Sequence, residues 1–146
     1  MKQINDIHVR ETLATVQLEP ITRLDLIKYA GASGDFNPIH TIDSEAVNAG
    51  LPGIIAHGLL TMGSLSKIFT QYLEEGFIEN YSIRFRGMVF LDDVITLKAV
   101  LINKEENQLH FEVFASNQDN QNVIVGNLIF TLGIPDYFNE KEGEVI

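Results

Sequence analysis

Residues 58–73 read GLLTMGSLSKIFTQYL. Leu59, Met62, Leu65, Phe69 and Leu73 recur at spacings of three and four, the period of an α-helix. Leu60, Ile68 and Tyr72 widen that stripe until little polar face is left, and a helix apolar nearly all round is a buried one. Gly63, Ser64 and Ser66 are small enough to let other backbone approach closely. Whatever covers this helix has to come from the rest of the chain.

Downstream the period changes to two. Residues 78–89 set Tyr81, Ile83, Phe85 and Gly87 against Ser82, Arg84 and Arg86, and residues 94–102, 109–115 and 123–132 alternate in the same way. Asp92-Asp93, KEENQ and NQDNQN are the polar turns between them. Long strands joined by such short turns imply an antiparallel meander. Upstream, Thr12 to Leu18 reads as one more strand, ended by Pro20. Thr22 then reads as an N-cap, with Asp25 three residues on in the place of a capping-box acid. The helix that follows, Arg23 to Ala32, is expected to turn Leu24 and Ile27 inward, with Ala30 and Gly31. Ser44 is placed to cap a short helix, Glu45 to Ala49. Gly50, Pro52 and Gly53 are turn chemistry, and Ile54, Ile55 and Ala56 should be buried.

These pieces make an α+β domain in which a curved antiparallel sheet wraps one buried helix. A single domain spanning 1–146 is expected, with an acidic tail from about 136. One sheet covered by one helix leaves an exposed edge, and edges are usually paired or covered. A homodimer whose sheets join edge to edge is the expectation.

Composition narrows the function. The formal net charge is −10, which argues against sequence-independent nucleic-acid binding, a process driven by Lys and Arg on phosphates. There is no cysteine, so thiol nucleophiles, disulfides and Cys-ligated metals are excluded. The N-terminus, MKQINDIHVRET, lacks the apolar core of a secretory signal, and no apolar run approaches the roughly 18 residues of a membrane span. Cytoplasmic location and no membrane partner are the expectations.

The candidate chemistry lies just before the buried helix. GDFNPIH, residues 34–40, falls between two helical segments, and Pro38 biases Asn37 away from helical backbone. Loops held at both ends by rigid elements are where reactive groups tend to sit. Asp35 and His40 form a candidate acid/base pair there. AHGLL, residues 56–60, opens the long helix, and Gly58 lies where backbone N–H groups lack partners and the helix dipole is positive. His57 reads as a buried, hydrogen-bonded histidine. A zinc site from Asp35, His40 and His57 is possible on residue type, but their spacing matches no metal motif, so no metal is expected. His8 and His110 sit in ordinary polar surroundings.

GDFNPIH followed by AHGLL resembles the MaoC-like branch of the hot-dog fold, the (R)-specific enoyl-CoA hydratases also called hydratase 2. The resemblance covers about Thr15 to Leu132. It implies that Asp35 and His40 are the catalytic pair and that Asn37 helps orient them. It implies that the Gly58 N–H binds the thioester carbonyl, and that Ser66 occupies a position where some members carry an active-site serine. FRGMVFLDD resembles the family's F-x-x-P-V-x-x-G-D segment but has Met88 for Pro and Asp92 for Gly. Both departures lie away from the acid/base loop, so they bear on the strand entrance and the substrate subclass.

Hydration of a 2-enoyl thioester needs a water activated to attack C3, a proton for C2 and a donor for the charge that develops on the thioester oxygen. An imidazole near neutrality serves as acid or base. The resemblance therefore implies an acyl-CoA thioester substrate, with coenzyme A arriving as part of it and no other cofactor. Arg84 and Arg86 read as solvated strand faces; the alternative puts one of them, or Lys67, against the coenzyme's phosphates. Acyl-carrier-protein chemistry is the alternative within the same reaction. A non-catalytic hot-dog subunit is the alternative outside it, and such a chain would be expected to lack part of the pair.

Overall fold

A computed structural model describes residues 2–134 of the chain. The acidic tail expected from about 136 lies outside the described residues. Five strands, β1 (Thr12–Gln17), β2 (Gly76–Phe85), β3 (Thr96–Glu105), β4 (Gln108–Ser116) and β5 (Asn122–Leu132), form one antiparallel sheet in the order β1-β3-β4-β5-β2. The meander expected from the short turns is β3-β4-β5. The strand before it, β2, does not pair with its chain neighbour β3 but crosses to the far side, beside β5.

Helices α1 (Arg23–Ser33) and α2 (Asp43–Asn48) precede the central helix, α3 (Gly58–Ser66). Leu65 of α3, with Ile68 and Phe69 just beyond it, packs into a core shared with Leu101, Leu109, Phe111 and Phe130 of the sheet. The Phe69 ring meets Phe111 edge-on at 5.0 Å, a favoured aromatic geometry. The Tyr81 hydroxyl donates to the Met62 carbonyl at 2.7 Å, tying β2 to the same helix. This is the sheet-on-helix arrangement that the sequence predicts.

Several local expectations change. The central helix is α-helical only to Ser66 and continues as a 3-10 helix, Lys67–Tyr72. Its hydroxyls supply the reason: Ser66 Oγ donates to the Gly63 carbonyl at 2.7 Å and Thr70 Oγ1 to the Lys67 carbonyl at 2.8 Å. Such back-bonding competes with the helical ladder and distorts it. Leu59 and Leu73, at the two ends of the stripe, are exposed. In α1 the inward residues are Leu26 and Ala30, while Leu24 and Ile27 face out. Finally, α2 starts one residue before Ser44, with Ile42 at its cap position and no side-chain cap. The expected Ser44 cap is not formed.

The capping box at α1 is formed. Thr22 Oγ1 accepts from the Asp25 N–H at 3.2 Å, and Asp25 Oδ2 accepts from the Thr22 N–H at 2.9 Å. That backbone bond, helped by the Thr22 hydroxyl, holds the Asp25 carboxyl below its ordinary pKa. The carboxylate form is therefore the one folding favours, and this contribution fades as pH falls through the folded-state pKa. Thr22→Ala should cost about 1 kcal/mol in denaturant unfolding at neutral pH, and less in acid.

The strand read as 78–89 stops at Phe85. Beyond it the chain leaves the sheet: the Ala56 N–H donates to the Val89 carbonyl at 2.8 Å, and Ile55 bridges Phe90. The segment leading into α3 is thus stitched to the segment leaving β2, and the site lies at that seam.

Candidate active site

Asp35 and Asn37 of the loop at residues 34–40 are fixed by short-range bonds. The Asp35 N–H donates to Ser33 Oγ at 3.1 Å, and Asp35 Oδ1 accepts from the Asn37 N–H at 3.2 Å. Asn37 Oδ1 in turn accepts from the Ile39 N–H at 3.2 Å, capping the 3-10 turn Pro38–His40. These are the local side-chain to backbone bonds that Asp and Asn favour in turns. Asn37 thus fixes the turn that carries His40 through its side chain. Asp35 keeps Oδ2 free of the turn.

Oδ2 faces His40. The separation from His40 Nε2 is 3.8 Å, with the imidazole 10 % exposed and the carboxylate 51 % exposed. That is beyond direct hydrogen-bond reach but right for a water held by both groups at about 2.8 Å each. His40 Nδ1 lies 2.7 Å from the Ile55 carbonyl. A carbonyl only accepts, so Nδ1 carries a hydrogen and donates to it, which leaves Nε2 directed toward Asp35. The Ile55 N–H donates back to the Ile39 carbonyl at 3.2 Å. Loop and seam are locked in both directions.

His40 and Gly58 line one cavity of about 300 Å³, together with Ile55, Thr61, Phe85 and Val123. Gly58 is the first residue of α3, and His57 before it is extended at φ −60° and ψ 129°. The phenyl ring of Phe85 lies so close that a Cβ on Gly58 would stand 2.5 Å from its Cε1. A side chain here would have to displace the exposed Phe85 ring, and the Gly58 N–H belongs to the unpartnered first turn.

Of the five residues the sequence singles out, His40 and Gly58 line the cavity, Asp35 faces His40 from outside that lining, and Asn37 caps the turn that carries His40. Ser66 is not among the residues lining that cavity, and its hydroxyl is spent on Gly63.

His57 holds more than the sequence suggested. It is 2 % exposed, and its ring stacks on His40 with centroids 3.8 Å apart and planes 24° apart. Tyr29 also packs against it, edge-on at 4.8 Å. His57 Nε2 donates to the Asp35 carbonyl at 3.1 Å. Asp35, His40 and His57 each offer a ligand atom within 4.8 Å of the others. Ring nitrogens point their lone pairs in the ring plane, however, and in nearly parallel stacked rings those directions do not converge on one ion. The donor set suits proton transfer better than coordination.

Among the described residues no helix is long and apolar enough to cross a membrane. The family profile described as MaoC like domain matches residues 5–123. The fatty acid synthase beta subunit TOXC of Cochliobolus carbonum is 31 % identical over 119 residues, 79 % of this chain and 6 % of that protein. The peroxisomal hydratase-dehydrogenase-epimerase of Saccharomyces cerevisiae is 40 % identical over 68 residues, 46 % of this chain and 7 % of that protein. The chain thus spans a small part of the length of these relatives. The unliganded R-hydratase PhaJ1 of Pseudomonas aeruginosa superposes with a TM-score of 0.80 at 22 % identity, covering 90 % of this chain and 85 % of its own. That likeness is one of fold.

Proposed function

The chain belongs to the MaoC-like domain family of hydratases and dehydratases, with its hot-dog fold, and from that premise we propose that it reversibly hydrates 2-enoyl-CoA to (R)-3-hydroxyacyl-CoA. The observation that carries this reading is the facing pair, Asp35 Oδ2 and His40 Nε2, 3.8 Å apart beside a cavity that also contains Gly58.

In the hydration direction the water oxygen bonds to C3 as one of its protons passes to the Asp35–His40 pair. The electron pair of the C2–C3 double bond moves toward the thioester oxygen, where the Gly58 N–H receives the charge. The thioester carbonyl then re-forms as C2 takes a proton from the pair. Dehydration is the same path reversed. Addition of water to the double bond is redox-neutral, so the step calls on no oxidant or reductant, and coenzyme A enters as part of the substrate. The (R) configuration rests on the family resemblance and is read from the product. The assay follows loss of conjugated-enoyl absorbance across several acyl chain lengths, with product stereochemistry. No turnover of any of them would overturn the proposal.

The likeness to a fatty acid synthase subunit supports a second carrier, acyl carrier protein. Relative kcat/KM for one acyl group on the two carriers separates the readings.

A homodimer completes the proposal. The sheet's edges are β1 and β2. Strand β2 is the longer, at ten residues, and ends in Phe85, which is exposed, as are Leu59 and Met88 nearby on the cavity wall. Long open edges are templates for pairing. Light scattering at micromolar concentration should give twice the chain mass, and a monomer mass would remove the dimer.

A further inference from the structure

We propose that His57 is a positioning residue for the acid/base pair: its Nε2–H holds the Asp35 main chain while its ring backs His40, and together these set the 3.8 Å gap. The inference rests on the hydratase reading for its consequence in rate, though its geometry does not.

Three observations converge. First, His57 touches both members of the pair by different means, a hydrogen bond to the Asp35 carbonyl at 3.1 Å and a stack on the His40 ring at 3.8 Å. Asn37 also links the two, but through its main chain, its N–H donating to Asp35 Oδ1 and its carbonyl accepting from the His40 N–H; His57 does so with its side chain. Second, His57 is itself held: Tyr29 of α1 packs edge-on against its ring at 4.8 Å, and the residue is buried. Third, His57 is a costly choice for a space-filling residue. It is 2 % exposed, and its Nδ1 is buried and finds no partner among the described residues. A buried polar atom left unpaired is a penalty that Phe or Leu would avoid. The compensation visible for it is the bond that Nε2 makes. Because the Asp35 carbonyl only accepts, Nε2 carries the hydrogen, which leaves Nδ1 as the idle acceptor.

Two substitutions separate the donor from the ring. His57→Gln places an amide N–H near the position of Nε2 but has no ring. His57→Phe keeps a ring to stack but has no donor. If the donor sets the Asp35 loop, His57→Phe lowers kcat by on the order of 10²-fold, the size of effect that follows a misplacement of about 1 Å. KM should change little, because no substrate contact is removed, and His57→Gln should recover most of the loss. Full kcat in His57→Phe overturns the inference. So does equal loss in both variants accompanied by equal loss of thermal stability, which is the behaviour of a core residue. The histidine tautomers, read by long-range ¹H–¹⁵N NMR, need no substrate. Hydrogen on Nε2 of His57 and on Nδ1 of His40 is expected, and hydrogen on Nδ1 of His57 alone overturns the inference. If wild-type protein turns over no enoyl thioester, the hydratase reading falls, and the tautomer spectrum decides this inference by itself.

Discussion

Asp35→Asn lowers kcat for hydration of a 2-enoyl thioester by about 10²–10⁴-fold, the range for removing a positioned proton-transfer group. The substitution is nearly isosteric. Asn keeps an oxygen for the Asn37 N–H, which Asp35 Oδ1 now satisfies, and the side chain is half exposed, so thermal unfolding should move little. What is lost is Oδ2 as a base facing His40. His40→Ala is expected to cost as much in kcat but also strands the Ile55 carbonyl, whose partner is His40 Nδ1. His40→Asn is the cleaner probe, because its amide reaches toward the Nδ1 position and retains a donor. The double variant Asp35→Asn/His40→Asn should lose about as much as either alone, since groups that act as a unit are not additive. Circular dichroism and unfolding establish that each variant is folded. Wild-type rates in a folded Asp35→Asn would remove the pair from the mechanism.

The second large effect is at Gly58. Deleting a backbone donor is awkward in general, but the geometry here permits it. Gly58 opens α3 and His57 before it is extended at ψ 129°. Proline is well tolerated at the first helical position and asks for such a residue before it. Gly58→Pro should therefore keep the helix and remove the N–H. The obstacle is Phe85, whose ring a Cβ would meet at 2.5 Å. Making the change in a Phe85→Ala background relieves the contact, and the comparison is made within that background. A loss of roughly 10²–10³-fold in kcat is expected, as for other oxyanion donors. An unchanged kcat would show that the carbonyl is held elsewhere.

How far the sequence carried this account depended on range. The buried helix, the strands and the meander were legible because period-two and period-3.6 patterns are local properties. The Thr22–Asp25 box was legible because its partners are three residues apart. The inward face of α1 was not, because Leu24, Leu26, Ile27 and Ala30 put apolar residues on both sides, and only the tertiary fold selects Leu26 and Ala30. The end of α3 was missed because no glycine or proline marks it. Ser66 and Thr70 tighten the turn through hydroxyl bonds, and serine and threonine also occur in ordinary helices. In the site, Asp35, Asn37 and His40 stood in one short motif. His57 is 22 residues from its Asp35 partner and becomes visible as a member only when the seam between Ile55–Ala56 and Val89–Phe90 brings the helix start against the loop.

The most direct measurement is a crystal structure of Asp35→Asn with crotonyl-CoA bound. The thioester oxygen should lie about 2.7–3.1 Å from the Gly58 nitrogen, with C3 facing the space between residue 35 and His40. A thioester oxygen turned away from Gly58, or a C3 out of reach of a water held by that pair, would contradict the account.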